Sequence, residues 1–315
     1  MSDPGWKGSV ESISLVIPVY NSAPILPKLL ERLEQVLEEI GLPFEAVLVN
    51  DGSRDGSWEV LQAEAARRPW VRGLQLMRNY GQHNALLCGI RAARHATIVT
   101  LDDDLQHPPE EIHRLLEELA AGHDVVYGAP EREQHGLVRD LSSKLTKLAL
   151  QSAMGVDAAR NVSAFRAFRT QVRDAFAGYG SQFVSIDVLL TWGTSRFGCV
   201  RVRHDPRQEG VSNYDFRKLA RHAINMATGF STFPLQIASL TGFAFTFFGM
   251  GVLAFVLVRY ALEGGSVPGF PFLASVVAIF SGAQLFALGI IGEYIARMHF
   301  RTMGRPAYSV KEATD

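Results

Sequence analysis

Two long runs of uncharged, mostly apolar residues constrain this chain more than any other feature. The 58 residues from Leu235 to Gly292 contain only two charged side chains, Arg259 and Glu263. Residues 235–258 and 270–292 are free of charge, and at about 1.5 Å per residue each run is long enough, as a helix, to cross a hydrocarbon core of roughly 30 Å. A buried helix of a soluble protein does not need this length. The sequence therefore predicts two membrane-spanning helices.

The segment between the runs and the charges around them predict an orientation. Residues 259–269 (RYALEGGSVPG) contain Gly-Gly and Pro-Gly pairs that favour a turn, so we expect a helical hairpin. Residues 201–222 hold six Arg or Lys against three acids, and three arginines follow the second run, whereas the loop holds one Arg and one Glu. By the positive-inside rule, both ends of the chain are expected in the cytoplasm. Ala283 and Ala287 have the spacing of a small-residue face, through which the spans of a homo-oligomer could pack.

The other residues have the composition of a globular domain. The chain as a whole has a net charge of −1 and no basic stripe, which argues against a nucleic-acid partner. Its apolar content of 47% is too high for a disordered chain. Two cysteines, Cys88 and Cys199, cannot form a disulfide framework and fit a reduced compartment. The polar start, MSDPGWKGS, gives no expectation of a signal peptide.

Strand and helix patterns alternate through the first half of the chain. We predict strands at residues 13–19, 44–49, 71–76, 97–101 and 124–127, and helices at residues 24–40, 57–67, 82–94 and 109–121. Such an alternation predicts an α/β fold with a doubly wound, mostly parallel sheet. Polar clusters follow four of the strands, at residues 20–21, 50–53, 78–81 and 102–104. Because ligands bind at the carboxyl ends of the strands in these sheets, we expect the four clusters to share one rim.

Three consecutive aspartates in the segment LDDDLQHPPE carry the strongest chemical signal. Asp102 and Asp104, two residues apart after a strand, can approach one divalent cation, and the amide oxygen of Gln106 can add a ligand. Mg²⁺ and Mn²⁺ prefer such oxygens and also bridge phosphates, so the cluster suits a diphosphate. An alternative is that the acids only cap the helix that begins near Pro108. Three acids exceed what a cap needs, so we favour the metal site.

Other polar residues have ordinary structural explanations. Asp51, within NDGSRDGS, taken alone is best explained by a β-turn. His83 and His107 lack the closely spaced partners of a zinc site, so we expect structural roles for both. Cys88 lies on an apolar helix face and is expected in the core. For Arg207, shortly before the first span, a basic patch on the membrane surface and a site for a lipid phosphate are equally good explanations.

Six motifs stand in the chain in a characteristic order. They are PVYN (18–21), VNDGSRDGS (49–57), RNYGQH (78–83), DDDLQHPPE (102–110), FRAFR (165–169) and HDPRQEGVSNY (204–214). Together they resemble the polyprenyl-phosphate glycosyltransferases, an inverting family with a Rossmann-like GT-A fold. The family includes dolichol-phosphate mannose synthases and bacterial undecaprenyl-phosphate sugar transferases. The resemblance covers nearly the whole chain, including the hairpin and the segments GEYIAR (292–297) and RPAY (305–308).

The resemblance implies roles for the rim residues. The nucleotide sugar would be held by Pro18, Tyr20, Asn21, Asp51, Asp102, Asp103 and Arg132. A Mg²⁺ or Mn²⁺ ion would be bound by Asp102, Asp104 and Gln106. The acceptor phosphate would be bound by Arg207, Ser212 and Tyr214. The residues expected to act in catalysis are Asp102, Asp104 and Arg207.

The chain departs from the family pattern at four positions. Ser22 replaces the Glu that commonly follows PVYN, and Asp103 stands where the family often has Ala, which should matter little if this middle side chain points away from the metal. The family's VxGxR pattern, with a second basic residue soon after, appears here as VYGAPEREQ. This leaves Arg132 as the phosphate partner. Asn161 stands just before FRAFR, where relatives often carry Asp, so a carboxylate proposed there as a base is missing.

The expected protein is a multi-pass cell-membrane enzyme. It comprises a cytoplasmic GT-A domain (residues 1–213), an amphipathic juxtamembrane segment (214–233), two spans (within 234–292) and a cytoplasmic tail (293–315). The implied reaction moves one sugar from a nucleotide-diphosphate sugar to an undecaprenyl or dolichyl phosphate on the cytoplasmic face, with inversion. Alternatives are a catalytically silent, nucleotide-sugar-binding membrane scaffold and a transferase that acts on another membrane acceptor. Processive synthases normally have more spans and a QxxRW motif, which the chain lacks.

Overall fold

The computed structural model describes residues 8–130, 162–205, 233–263 and 269–314. The strands are β1 (Ile13–Val19), β2 (Phe44–Asn50), β3 (Val71–Leu76), β4 (Thr97–Thr100), β5 (Val125–Pro130), β6 (Arg166–Arg169), β7 (Phe197–Val202) and β8 (Val310–Ala313). The helices are α1 (Leu26–Ile40), α2 (Ser57–Arg67), α3 (Gln82–Ala92), α4 (Ile112–Ala120), α5 (Ile186–Gly193), α6 (Phe233–Glu263) and α7 (Phe270–Thr302). Two 3₁₀ turns, Pro109–Glu111 and Thr170–Phe176, precede α4 and follow β6.

Within the described residues, the strands form one mixed sheet in the order β7-β5-β6-β4-β1-β2-β3-β8. Strands β1 to β4 pair in parallel, as the alternating pattern predicts, and β5 pairs in parallel with β7. Strand β6 lies antiparallel between β4 and β5, and β8 lies antiparallel beside β3. The α/β prediction is confirmed, and β6, β7 and β8 are strands that the sequence pattern did not predict.

The sheet separates two apolar layers. Along β1, Leu15 and Ile17 face the layer under α1 and α4, and Val16 faces the layer under α3 and α5. This alternation follows from the two-residue period of a strand, and it requires apolar residues on both faces. Cys88, on α3, is buried in the second layer, and burial raises the pKa of its thiol to about 12. The predicted core role of Cys88 is confirmed.

Helices α6 and α7 contain the two uncharged runs. Residues 234–262 and 279–302 are long and apolar enough to cross a membrane, and neither window is buried inside the molecule. The helices pack against each other at Phe280, whose ring meets Phe245 edge-on at a centroid distance of 5.7 Å. A Cβ atom at Gly249 would lie 2.7 Å from the Phe280 ring, so the absence of a side chain there permits this close approach. Both helices extend beyond the predicted spans.

The segment after α7 returns to the sheet. Strand β8 pairs with β3, and beyond it Gly73 N–H donates to Thr314 Oγ1 at 2.7 Å. Ala307, in the connection, is buried against the layer under α3. The predicted boundary of a separate tail at residue 293 remains a prediction, but the end of this tail is structurally part of the eight-stranded sheet.

Candidate active site

The parallel register of the sheet brings the polar clusters together. Val19 pairs with Asn50, and Val16 pairs with Thr100, so Tyr20, Asp51 and Asp102 leave their strands at the same edge. A cavity of about 270 Å³ opens between them. It is lined by Pro18, Val19, Tyr20, Asp51, Asn79, Gly81, Gln82, Asp102, Asp103 and Asp104. The four predicted clusters therefore converge on one rim.

Asp51 fixes one wall of the cavity. Its carboxylate accepts hydrogen bonds from the backbone N–H groups of Tyr80 (2.7 Å) and Gly81 (2.8 Å). Burial raises the pKa of Asp51, and the two N–H donors oppose that rise. Asp51 thus holds the loop of residues 78–81 in place, and its predicted contact with a nucleoside remains a prediction.

The turn after Asp51 has room for glycine alone. Gly52 has a φ of +65°, and a Cβ atom there would lie 2.6 Å from the backbone nitrogen of Asn79 and 2.7 Å from the carbonyl carbon of Arg78. Two loops of the rim therefore touch through their backbones at Gly52. The turn expected from the NDGS motif is present, and it also forms the wall of the cavity.

The loop after β1 is tied to the loop after β2. Asn21 adopts a left-handed φ of 55°, its N–H donates to Ser53 Oγ (3.0 Å), and its side-chain oxygen accepts from Arg54 N–H (2.8 Å). Asn and Asp are the side chains best suited to this backbone region. Asn21 does not line the cavity, so the geometry gives it a role in shaping the rim.

Asp103 ties the loop after β1 to the aspartate loop. Its Oδ2 atom accepts hydrogen bonds from Tyr20 N–H at 3.1 Å and from the Ser22 hydroxyl. Ser22 N–H in turn donates to Ser57 Oγ at 2.9 Å. The expectation that the middle aspartate matters little if its side chain points away from the metal stays a prediction, and in the structure this side chain connects two walls of the cavity. Two of the departures from the family pattern, Ser22 and Asp103, bond to each other.

Asp102 and Asp104 lie beside Asp103 at the base of the cavity. Burial, followed by the negative charges of Asp104 and Asp103, raises the pKa of Asp102 from 3.8 to about 7. Its Oδ1 atom accepts a hydrogen bond from Gln82 Nε2 at 2.6 Å. Three acids this close repel one another when ionised, and a hard divalent cation relieves that repulsion. The donor set therefore fits Mg²⁺ or Mn²⁺.

The protein ligands for such an ion are few. Among the described residues, no three His, Cys, Asp or Glu side chains form a metal cluster. Gln106 does not line the cavity, and its backbone N–H donates to Asp104 Oδ1 at 3.1 Å. A cation on Asp102 and Asp104 would need water or donor phosphate oxygens to complete its coordination. The predicted coordination by the Gln106 side chain remains a prediction.

Comparison with known proteins assigns the family. A model described as glycosyl transferase family 2 matches residues 14–176, which include the whole rim. The undecaprenyl-phosphate 4-deoxy-4-formamido-L-arabinose transferase of Pseudomonas aeruginosa (strain LESB58) is 38% identical over 306 residues, 96% of this chain and 90% of that protein. A protein of the same name from Shewanella sediminis (strain HAW-EB3) is 36% identical over 308 residues, 96% and 93% of the two chains.

The chain belongs to glycosyl transferase family 2. Similarity to a solved structure supports the GT-A fold of this chain. The glucosyl-3-phosphoglycerate synthase of Mycobacterium tuberculosis, crystallised with Mn²⁺, UDP and glucosyl-3-phosphoglycerate, matches with a TM-score of 0.52 at 16% identity, over 71% of this chain and 80% of that one. At this identity the match shows the GT-A fold alone. The resemblance found in the motifs is confirmed, and the protein is a glycosyltransferase.

Beneath the rim, the family 2 domain contains a buried ion pair that the sequence analysis missed. The guanidinium of Arg166, on β6, is only 2% exposed and binds the carboxylate of Asp187, on α5. Arg166 Nε also donates to Thr100 Oγ1 at 3.1 Å, and the Tyr127 hydroxyl donates to Asp187 Oδ1 at 3.2 Å. The positive charge of Arg166 acts against the rise in the pKa of Asp102. The FRAFR motif contains Arg166, but no local pattern indicates its partner 21 residues later.

His107 has the structural role that we expected. Its ring stacks on Phe165 at 5.4 Å and meets His204 edge-on at 5.0 Å between centroids. Burial, and then the charge of His204, lowers the pKa of His107 to about 4, so this imidazole is neutral at physiological pH. His83 accepts a weak hydrogen bond from Ile186 N–H at 3.4 Å, at the start of α5.

Several predicted residues of this family 2 chain lie outside the described part of the structure. They are Arg132, Asn161, Arg207, Ser212 and Tyr214. The predicted acceptor-phosphate site and the predicted amphipathic segment at residues 214–233 therefore remain predictions. Asp205, the last described residue before Arg207, donates its N–H to the Gln106 carbonyl oxygen at 2.9 Å, so the chain after β7 contacts the aspartate loop.

Proposed function

We propose that this protein transfers one sugar from a nucleotide-diphosphate donor to a polyprenyl phosphate, with inversion, at the cytoplasmic face of a membrane. One observation carries the proposal. The similarity to the undecaprenyl-phosphate transferase of P. aeruginosa extends over 96% of the chain, so it includes both the aspartate rim and the apolar helices. A protein that shared only the nucleotide-binding fold would not need to be similar in the apolar helices.

The donor would occupy the cavity on the rim. Pro18 and Tyr20 form one side, and the loop held by Asp51 forms the other. The Tyr20 ring is half exposed at the mouth, where a base could stack on it. Asp102 and Asp104 lie at the base, where the diphosphate would carry its negative charge.

A divalent cation would be held by Asp102 and Asp104. Such a cation neutralises negative charge on a leaving diphosphate, and the three crowded carboxylates support its binding. Asp103 would maintain the shape of the cavity, since its hydrogen bonds to Tyr20 and Ser22 keep the loop after β1 beside the metal site. Either Mg²⁺ or Mn²⁺ fits these oxygen ligands.

The acceptor would attack without help from a general base. A hydroxyl must lose a proton as it attacks, but a phosphate monoester with a second pKa of about 6 is already largely ionised near neutrality. The structure offers support, because the buried Asp187 carboxylate binds Arg166 and Tyr127 and is not free to accept a proton. Arg207, Ser212 and Tyr214 would position the phosphate, as the motifs imply.

One assay tests the activity and the choice of acceptor. The full chain in detergent or vesicles is given a panel of labelled nucleotide sugars with either undecaprenyl phosphate or undecaprenol, in the presence and absence of Mn²⁺. We expect metal-dependent transfer of one sugar to the phosphate and none to the alcohol. Comparable transfer to the alcohol would contradict the base-free mechanism. Donor binding without any transfer across the panel would favour the silent scaffold.

A separate experiment tests the orientation. Tags on the two termini are probed with protease in sealed vesicles of known sidedness, and both should be cleaved from the cytoplasmic side. Protection of the two tags on opposite sides would contradict the hairpin while leaving the enzymatic proposal intact.

A further inference from the structure

A second cavity lies between the catalytic domain and the end of α7. Its volume is about 460 Å³, within the range of about 300–1,000 Å³ that is usual for small-molecule sites. One wall is formed by the segment that includes Phe176 and Tyr179, and the other by Arg301, in the last turn of α7, and Pro306, in the connection that follows. The two cavities share no lining residue, so this one is separate from the donor site.

The lining of this cavity suits an anion with an apolar attachment. Arg301 is the one charged side chain among its lining residues, and none of these is Asp or Glu. The Arg301 guanidinium is exposed and forms no ion pair with any residue that the structure describes. Trp192, which also lines this second cavity, is 49% exposed and meets the Tyr179 ring edge-on at a centroid distance of 5.5 Å.

The position of the cavity along α7 indicates where the anion comes from. The helix has 33 residues and is therefore about 50 Å long, more than the 40–45 Å of a whole bilayer. Its first charged side chains occur in the last three turns, and the apolar window ends at Thr302, one residue after Arg301. The Arg297 guanidinium lies over the Phe183 ring at 4.8 Å, which attaches this end of the helix to the catalytic domain. Arg301 is thus placed where the helix leaves the headgroup layer.

We infer that this cavity binds the phosphate headgroup of an anionic phospholipid. Arginine can grip phosphate with two parallel hydrogen bonds, and tryptophan and tyrosine favour the membrane–water interface. The acceptor lipid carries a phosphate too, but its phosphate has to reach the donor sugar at the other cavity. The occupant here is therefore a phospholipid that fixes the catalytic domain on the membrane surface. The inference rests on the proposed membrane insertion and not on the proposed sugar transfer.

Quenching of Trp192 fluorescence by brominated lipids tests this inference without measuring activity. The full chain is reconstituted in phosphatidylcholine vesicles that contain brominated phosphatidylglycerol or, at the same mole fraction, brominated phosphatidylcholine. The contribution of Trp192 is the difference between the wild type and Trp192→Phe. We expect stronger quenching by the anionic lipid, and we expect Arg301→Ala to lower the apparent affinity for it about fivefold, the effect of one cation near an anionic surface. Arg305→Ala is the matched control, because Arg305 is exposed in the same segment but does not line the cavity.

Competition distinguishes the sources of the phosphate. Undecaprenyl phosphate at a stoichiometric amount and inorganic phosphate in the buffer should leave the quenching unchanged. Displacement by either one would overturn the assignment to a phospholipid. Equal quenching by the two brominated lipids, or an equal effect of Arg301→Ala and Arg305→Ala, would also overturn it while leaving membrane insertion intact. No quenching by either lipid would contradict the insertion as well.

Discussion

Replacing Asp187 by Asn should destabilise the protein because it leaves a buried cation without its counter-charge. The guanidinium of Arg166 is 2% exposed and the carboxylate of Asp187 is 8% exposed, so water cannot replace the lost partner. Breaking a buried pair from one side costs about 3–5 kcal/mol. The amide oxygen of Asn still accepts a hydrogen bond, so we expect a loss near the lower limit, about 3 kcal/mol. For a domain of this size, that lowers the melting temperature by about 6–12 °C.

Thermal unfolding of the purified full chain, followed by circular dichroism, measures this loss. The double variant Arg166→Met with Asp187→Asn removes both charges, so it should recover most of the stability. Asp174→Asn is the matched control, because Asp174 is exposed, and its effect should stay within about 0.5 kcal/mol. The transfer rate, measured below the melting temperature of each variant, should fall in Asp187→Asn and recover in the double variant.

Two outcomes would refute this reasoning. If Asp187→Asn unfolded at the wild-type temperature, the ion pair would contribute nothing measurable to stability. If the variant lost all transfer and the double variant did not recover any, Asp187 would be acting on the substrate, and the base-free mechanism would be wrong.

Three further predictions follow from the rim. Asp104→Asn should abolish metal-dependent sugar transfer and leave the melting temperature within a few °C of the wild type, so near wild-type turnover would contradict the metal assignment. In chelator, ionisation of Asp102 costs the folded protein stability as the pH rises from about 4 to about 7, because its pKa is raised in the folded state. Asp102→Asn lacks this ionisation, so its melting temperature minus that of the wild type should increase over that range. Gly52→Ala should weaken donor binding and destabilise the fold by about 1–3 kcal/mol, because its Cβ meets the backbone of the neighbouring loop. Gly56→Ala, which has open space in the same turn, should do neither, as isothermal titration and thermal unfolding can check.

Patterns in the sequence predicted strands β1 to β5 but not β7, although β7 pairs in parallel with β5. For β1, β3 and α2 the predicted bounds match the structure. These predictions succeeded because the order of apolar and polar residues within each segment shows which of its faces is buried. Strands β6 and β8 have only four residues each and pair antiparallel with distant segments. Their pairing depends on the completed sheet edge, so a local pattern does not contain it.

The candidate site shows the same division. Asp51, Asp102 and Asp104 could be assigned to one rim because the ends of parallel strands must meet at one edge of the sheet. The partners of these residues could not, since Asp51 binds a loop 30 residues away and Arg166 binds Asp187 on a later helix. Each residue type was readable, but the contacts depend on how separate elements pack.

The pairing of Ser22 with Asp103 changes how the departures from the family pattern are interpreted. Considered separately, Ser22 is a lost acid and Asp103 is an added one. In the structure, the added carboxylate accepts hydrogen bonds from the Ser22 hydroxyl and the Tyr20 N–H. Asp103 therefore holds the loop after β1 from another wall of the cavity. The two changes are therefore coupled. Asp103→Ala should weaken donor binding more than Ser22→Ala does, because only the first removes the bond to the Tyr20 backbone.

Strand β8 has a consequence for how the catalytic domain sits on the membrane. The domain is connected to α6 by the chain that follows β7, and to α7 by the short connection that precedes β8. With β8 paired to the β3 edge and Arg297 packed on Phe183, the end of α7 is attached to the sheet at two places. A domain held by a single linker could rotate, and its rim would face the bilayer only part of the time. The two contacts at the end of α7 restrict that rotation. A restricted rotation keeps the rim cavity within reach of a lipid-borne phosphate.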